Sequence, residues 1–405
     1  MSEFISPEEH RSEVAALRHE IYRLSKQLDE KERERVLGSM HDRRDPFDNP
    51  TEYHDYSGDY AKILPQIDSP GAVIPLEPQY EEKRRIKRFY TIGAGCLLGQ
   101  FLAADILVSL LMLLISGLLK GLNSGISSST MIEYVRSSSI LAGMMLLTYM
   151  TVNVAFGMLG LKLSGTKFTE LIKTRDYNVK KAAQYCLIAV FLLFVSTIVS
   201  VFVENLFTKY GYTTDVIQMD GIAVTRTGKA ILILYQCVIA PVTEELFFRG
   251  MLLKNFTKAN QRFGVFATAV FFGLAHGNIP QFLLAFMLGI FLAHLTLKHC
   301  SIIPAIVVHI FVNSFSTVAS ELDLTGNMLI IFNEIFIVLA VVGGIMLIVF
   351  RSGDKLPAST PAQARRGLAT AMVTPVLVVV AFLQVLYMMS LIFSGPFFEL
   401  IRNLL

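Results

Sequence analysis

Nine runs of mostly apolar residues follow one another between about residue 90 and residue 394, separated by short polar segments. They occupy residues 90–119, 138–162, 181–208, 229–254, 262–277, 280–298, 301–320, 327–350 and 369–394. Most of them are at least as long as the ~20 residues that an α-helix needs to cross a bilayer core of ~30 Å. The fifth run is short for an independent span. The pattern therefore predicts an all-α, polytopic membrane helix bundle of about eight to nine spans.

The segment before the first apolar run has a different pattern and is predicted to lie outside the membrane. Residues 1–40 are predicted to form a cytosolic helix, because Ser6 can act as N-cap and Glu9 completes a capping box with it. Apolar residues with 3-4-3-4 spacing then indicate a short coiled-coil seam over residues 14–28: Val14, Leu17, Ile21, Leu24 and Leu28. Such a short coil is marginal alone. The seam therefore predicts either self-association or packing of an amphipathic helix on a local surface. Residues 41–89 are predicted to be a linker with a basic juxtamembrane end.

The charge pattern gives an orientation in the membrane. Lys and Arg cluster before the first apolar run and after the second, fourth, sixth and eighth runs, and the alternate loops contain fewer of them. The positive-inside rule therefore predicts a multi-pass protein of the cell membrane with a cytosolic N-terminus. The net charge of +3 is too small to suggest nucleic acid as a partner. The four cysteines show no paired spacing and are predicted to be reduced.

Several polar and charged residues interrupt the apolar runs. An ionisable group inside a span costs ~2.5 kcal/mol or more, so it is usually retained for a function. Counting ~1.5 Å per residue from the nearest polar end places Glu244, His276, His309 and Asn313 ~12–21 Å inside the membrane. They are therefore expected to share one layer of the bundle: Glu244, Glu245 and Arg249 in the fourth run, His276 at the end of the fifth, and His309 and Asn313 in the seventh.

The spacing of these residues suggests separate roles. Glu245 and Arg249 are four apart on one helix face, so they are expected to form an ion pair. Glu244 points elsewhere and lacks a local cation, which suits a general base or acid. His309 and Asn313 also share a face, where an imidazole can orient water and an amide can donate to an oxyanion. Each feature also has a purely structural interpretation. Glu245 and Arg249 can be an ion pair that only packs helices, and His276 can be a residue at the membrane interface. Asn313 can simply form a hydrogen bond to a neighbouring helix.

Three motifs in order on successive runs resemble the CPBP family, which contains the CAAX prenyl endopeptidases and the bacteriocin-processing or self-immunity (Abi) proteins. They are Glu-Glu-x-x-x-Arg at 244–249, Phe-x-x-x-His at 272–276 and His-x-x-x-Asn at 309–313. The resemblance implies an intramembrane endopeptidase with a catalytic core at 229–320, flanked by transmembrane helices at 90–228 and 321–405. It implies that Glu244 activates water with His276, that His309 and Asn313 stabilise the oxyanion, and that Glu245 and Arg249 shape the site.

The resemblance leaves the catalytic chemistry open. Glu244, His276 and His309 are sufficient ligands for a catalytic zinc, but they also suffice for a glutamate mechanism without metal. The expected partner is a membrane-associated peptide or protein substrate in the lipid bilayer. Two other classes fit less well. A non-proteolytic scaffold or bacteriocin-immunity protein does not need both histidines with Glu244, and a transporter often has a second, symmetry-related copy of its motifs, which this chain lacks.

Overall fold

The computed structural model of the protein describes residues 14–24, 78–122, 127, 130, 134–135, 139–210, 225–258, 260–322, 324–353 and 368–404. Nine long helices account for most of the described residues after position 77, and the described residues contain no β-strand. Each helix overlaps one of the nine apolar runs, so the all-α prediction is confirmed. We number the helices α1 (Pro78–Leu122), α2 (Ser139–Leu163), α3 (Val179–Lys209), α4 (Arg226–Phe256), α5 (Gln261–Leu274), α6 (Ile279–His299), α7 (Ile303–Glu321), α8 (Asn327–Gly353) and α9 (Pro375–Leu404).

Within the described residues, seven helices are long and apolar enough to cross a membrane: α1, α2, α3, α4, α6, α7 and α8. Helix α5 has only 14 residues, which corresponds to about 21 Å. In α9, the apolar segment Pro375–Ser390 is also shorter than a full span. The bundle is therefore that of a multi-pass membrane protein, and α5 and α9 account for the difference between seven spans and the predicted eight to nine. The cell membrane as its location and the cytosolic N-terminus stay predictions.

The predicted N-terminal helix is described only over residues 14–24, which are helical. Leu17, Ile21 and Leu24 are exposed there, as expected for an apolar seam that packs on nothing else in the described chain. Leu28, the capping box and residues 25–77 lie outside the described residues. Self-association through residues 14–28 stays a prediction.

Helix α4 lies at the centre of the bundle and packs against α1, α2, α5, α6 and α7. Every residue from Leu246 to Phe256 is buried. This burial fits a helix that is apolar on all sides and surrounded by protein. A second apolar cluster joins α3, α6, α7 and α8, and it includes Ile188, Leu292 and Val308. The residues of the candidate site therefore lie on the most enclosed helix and on its direct neighbours.

A short, well-defined turn connects α5 to α6. Asn278 caps α6, because its Oδ1 accepts a hydrogen bond from the Gln281 backbone N–H (2.9 Å). Its Nδ2 also donates to the carbonyl oxygen of His276 (3.0 Å). Gly277 has a φ of 71°, which a residue with a Cβ would adopt only with strain. The turn therefore holds the backbone of His276 in place at the end of α5.

Helices α3 and α8 approach each other closely at a pair of glycines. A Cβ built on Gly343 would collide with the carbonyl oxygen of Leu187, and one built on Gly344 would lie 3.1 Å from the Phe191 ring. Small residues allow helix backbones to approach in a membrane, where packing rather than the hydrophobic effect drives association. This contact attaches α8 to the rest of the bundle.

We expect Gly343→Ala to destabilise the protein by about 1–3 kcal/mol, because an added methyl group in a tight contact forces the backbones apart. Thermal unfolding in detergent measures this change. Gly117→Ala in α1 is the matched control, since no atom lies within 4 Å of a Cβ built there. Equal unfolding temperatures for the two variants would contradict the close α3–α8 contact.

Candidate functional site

Two π-helical segments interrupt α4 on either side of the adjacent glutamates. Tyr235–Ile239 precedes the α-helical segment Ala240–Glu245, and Leu246–Leu253 follows it. Pro241 contributes to the first interruption, because it lacks the N–H that would bond a carbonyl one turn earlier. Such π segments are rare and are frequently found at functional sites. The irregular helix therefore distinguishes this part of α4 from the other spans.

The carboxylate of Glu245 joins a cation and an imidazole in the interior. Its Oε1 accepts from Arg249 Nη1 (2.9 Å) and contacts His309 Nδ1 (2.9 Å). The side chains of Glu245 and Arg249 are 0% and 1% exposed, and His309 is also buried. The ion pair that the four-residue spacing predicts is therefore present, and its carboxylate is shared with a histidine from α7.

This contact determines which nitrogen of His309 carries a proton. An ionised carboxylate accepts hydrogen bonds and cannot donate one. With Arg249 beside it, the Glu245 carboxylate is the acceptor, so Nδ1 of His309 is the donor. The opposite nitrogen, Nε2, then faces Oε2 of Glu244 at 3.8 Å. That distance is too long for a direct hydrogen bond.

Glu244 and Glu245 differ in exposure although they are neighbours. The Glu244 side chain is 21% exposed, and Glu245 is fully buried. Residues one apart point in directions about 100° apart around a helix, which explains the difference. Of the two carboxylates, Glu244 is the one that an incoming molecule can reach.

The ring of Phe272 on α5 holds the site together from the other side. The Arg249 guanidinium lies over this ring at 4.3 Å, a cation–π contact. The rings of His276 and His309 both meet Phe272 edge to face, with centroid distances of 5.1 Å and 5.6 Å. Arg249 Nη2 also lies 3.5 Å from the carbonyl oxygen of Gly289 on α6. The Arg249–Phe272 contact therefore connects α4 to α5 and both histidines.

His276 and Asn313 are held by backbone carbonyls. His276 Nδ1 donates to the carbonyl oxygen of Phe272 (2.8 Å), so its Nε2 is the nitrogen left for chemistry. Asn313 Nδ2 donates to the carbonyl oxygen of Gln236, in the first π segment of α4 (2.9 Å). The structure thus brings Glu244, Glu245, Arg249 and His309 into one contact group, with His276 beside it across Phe272. It does not place Asn313 in contact with the other five predicted residues.

The arrangement does not supply a zinc site. Among the described residues, no group of three or more His, Cys, Asp or Glu side chains is gathered so that it could hold a metal ion. Glu244, His276 and His309 are all described, yet His276 is turned to Phe272 and His309 to Glu245. The described side chains therefore do not support the metalloprotease hypothesis.

Sequence reasoning missed three groups that build the site. The Phe-x-x-x-His motif does not indicate a role for Phe272, although its four-residue spacing to His276 places both on one helix face. The carbonyl oxygens of Gln236 and Gly289 were missed because a main-chain acceptor has no signature in the sequence. Their use depends on how α6 and α7 pack against α4.

Comparison with known proteins identifies a family over the segment that contains this site. Residues 226–315 match the family model described as type II CAAX prenyl endopeptidase Rce1-like. The matched segment runs from the start of α4 into α7 and contains all six predicted site residues. No curated protein and no solved structure matches the chain.

The seven apolar helices are those of a multi-pass membrane protein, and the segment at its centre is similar to the type II CAAX prenyl endopeptidases. The resemblance found in the three motifs is confirmed over residues 226–315 by this family match.

Removing Arg249 is expected to destabilise the protein strongly. Arg249→Ala leaves the Glu245 carboxylate buried without its cation, which costs about 3–5 kcal/mol. The double variant Glu245→Gln with Arg249→Met removes both charges and should recover much of that loss. Glu244→Gln should keep stability near the wild-type value, because Glu244 is not the partner of Arg249. Thermal unfolding in detergent compares the four proteins. If neutralising Glu244, and not Glu245, rescues Arg249→Ala, the two glutamates have been assigned in the wrong order.

Proposed function

We propose that this protein is an intramembrane endopeptidase that hydrolyses peptide bonds near the cytosolic membrane face. The observation that carries the proposal is the pair formed by Glu244 and His309, whose Oε2 and Nε2 atoms face each other at 3.8 Å within the segment that matches the Rce1-like family. The partly accessible Glu244 carboxylate can take a proton from water, and the oriented imidazole beside it can donate a hydrogen bond to an oxyanion. Its expected substrate is a membrane-associated peptide or protein, and the family match favours a prenylated chain with a C-terminal CAAX motif.

In the proposed reaction, Glu244 is the general base. It takes a proton from a water molecule, and the water oxygen attacks the carbonyl carbon of the scissile bond. The tetrahedral intermediate then collapses, the C–N bond breaks, and Glu244 returns the proton to the leaving amine. One water is consumed, and a carboxylic acid and an amine are formed. Positioned proton transfer of this kind contributes about 10²–10⁴-fold to a rate.

The surrounding residues have supporting roles in this proposal. When its ring carries both protons, His309 keeps Nδ1–H on Glu245 and donates Nε2–H toward the developing oxyanion. Glu245 and Arg249 fix the orientation of that ring. His276 orients the attacking water through Nε2. Asn313 has a second amide N–H beyond the one given to Gln236, and that proton is available for the oxyanion.

The first test compares Glu244→Gln with the wild type. The substitution keeps the shape of the side chain but removes the base, so we expect cleavage of a farnesylated CAAX peptide by purified protein to be abolished while the protein stays folded. His276→Ala, His309→Ala and Asn313→Ala should each reduce kcat/KM by about 10²-fold or more. Glu334→Gln, at an exposed glutamate of α8, is the matched control and should retain activity. Substantial cleavage by Glu244→Gln protein would refute the role of Glu244.

The second test concerns metal. Since Glu244, His276 and His309 do not form a metal-ligand group, we expect protein treated with a chelator to keep turning over the same peptide. Elemental analysis of the treated protein verifies that zinc is below stoichiometric levels. Loss of activity on chelation, with recovery on adding zinc, would show instead that the side chains rearrange around a metal.

A further inference from the structure

A row of tyrosines crosses the apolar interior from Glu244 to the outer surface of the bundle. Tyr235 on α4 lies within electrostatic range of Glu244 and of Tyr149 on α2. The rings of Tyr235 and Tyr149 have a centroid distance of 6.3 Å. Tyr149 in turn lies within electrostatic range of Tyr387 on α9 and of Asp105 on α1. The Tyr387 ring contacts Phe101 of α1 at a centroid distance of 5.6 Å, one helical turn before Asp105. We call these four residues, Tyr235, Tyr149, Tyr387 and Asp105, the tyrosine row.

The hydroxyl groups of this row make no hydrogen bond within the described part of the chain. Tyr149 and Tyr235 are half-buried, and Tyr387 is 40% exposed. Tyrosines at the membrane–water boundary usually reach water with their hydroxyls. Tyr149, however, lies ten residues into α2 from Ser139, about 15 Å along the helix. Unpaired hydroxyls at that depth indicate that another polar molecule completes their hydrogen bonds.

Asp105 gives the row a charged outer end. It lies near the middle of the span Ile86–Leu122, and its side chain is exposed between apolar residues of α1. A carboxylate at membrane depth is unfavourable, and it usually faces a polar pathway or pairs with another group. Within the described residues Asp105 forms no salt bridge, and its charge lies within electrostatic range of Tyr149 and Tyr387.

A second polar line runs through the same α1–α2–α4 interface. Gln100 Nε2 donates to Asn153 Oδ1 (3.1 Å), and Asn153 Nδ2 donates to Thr243 Oγ1 (3.4 Å). Thr243 immediately precedes Glu244. These three side chains satisfy one another, whereas the hydroxyls of the tyrosine row have no protein partner. Two polar lines thus cross this interface, and in the described residues the one formed by the tyrosine row has hydroxyls that no protein group bonds.

We propose that the tyrosine row is the subsite that binds the extended backbone of the peptide substrate and leads it laterally from the α1–α2–α9 side to Glu244. This inference rests on the proposed peptidase function and deepens it. A chain that is extended for cleavage cannot bond its own N–H and C=O groups, and each unsatisfied group inside a membrane is costly. Hydroxyls both donate and accept, and the Asp105 carboxylate accepts from backbone N–H groups, so the row offers partners for both kinds of group.

Steady-state kinetics with a farnesylated CAAX peptide test the subsite. Tyr149→Phe and Tyr387→Phe each remove one hydroxyl and keep the ring, so we expect KM to rise about threefold to tenfold for each, with a smaller effect on kcat. Tyr90→Phe is the matched control. Its hydroxyl in α1 is also without a partner, but it is buried between Phe256 and Phe263, away from the row. Unchanged KM in both variants would overturn the subsite. A fall in kcat alone would identify the row as a route for water, which also overturns it.

Photo-cross-linking measures binding without cleavage, so it tests the subsite separately from the catalytic proposal. A photoreactive benzoyl-phenylalanine is placed at position 149 of the Glu244→Gln protein and, as control, at position 348, an exposed residue of α8. We expect the labelled farnesylated peptide to cross-link at 149 and not at 348, and excess unlabelled peptide to abolish the adduct. Equal labelling at both positions, or none at 149, refutes the subsite. Cross-linking at 149 without cleavage by the wild type supports the subsite and refutes the peptidase proposal.

Discussion

The site depends on one carboxylate oxygen that accepts from two groups on different helices. Oε1 of Glu245 bonds Arg249 on its own helix and His309 on α7, at 2.9 Å each. In a low-dielectric interior, neither charge of the ion pair is tolerable alone. The pair therefore fixes the carboxylate, the carboxylate fixes the imidazole, and Nε2 is left facing Glu244. The orientation of His309 relative to Glu244 follows from this single arrangement.

Around that contact, the aromatic ring of Phe272 serves as the common surface. It receives the Arg249 guanidinium on its face and makes perpendicular edge-to-face contacts with the two imidazoles. A ring has a negative face and a positive edge, so these contacts use its charge distribution as well as its shape. Helix α5 contributes to the site mainly through this ring, although it is the shortest of the nine helices.

Much of this arrangement follows from sequence periodicity, and the rest depends on packing. The four-residue spacing of Glu245 and Arg249 predicts their ion pair, and the apolar runs predict all nine helices. No local pattern reveals that His309 bonds Glu245, since the partners come from separate helices. The same holds for Asn313, which bonds a carbonyl of a π segment. The amide of Asn313 has two N–H groups, and one of them bonds the neighbouring helix. The proposed oxyanion role of Asn313 is therefore compatible with its role in helix packing.

The length of α5 has a consequence for how the bilayer meets the protein. At about 21 Å, this helix ends well short of a hydrocarbon core of about 30 Å. A helix of this length that begins at one membrane face leaves the turn after it, including Gly277, with non-helical backbone short of the opposite face. Such backbone is tolerated only where protein covers it or where it lines a hydrated cavity. Lipid tails are therefore kept away from one end of the candidate site, and a bilayer of different thickness would change how deeply His276 is immersed.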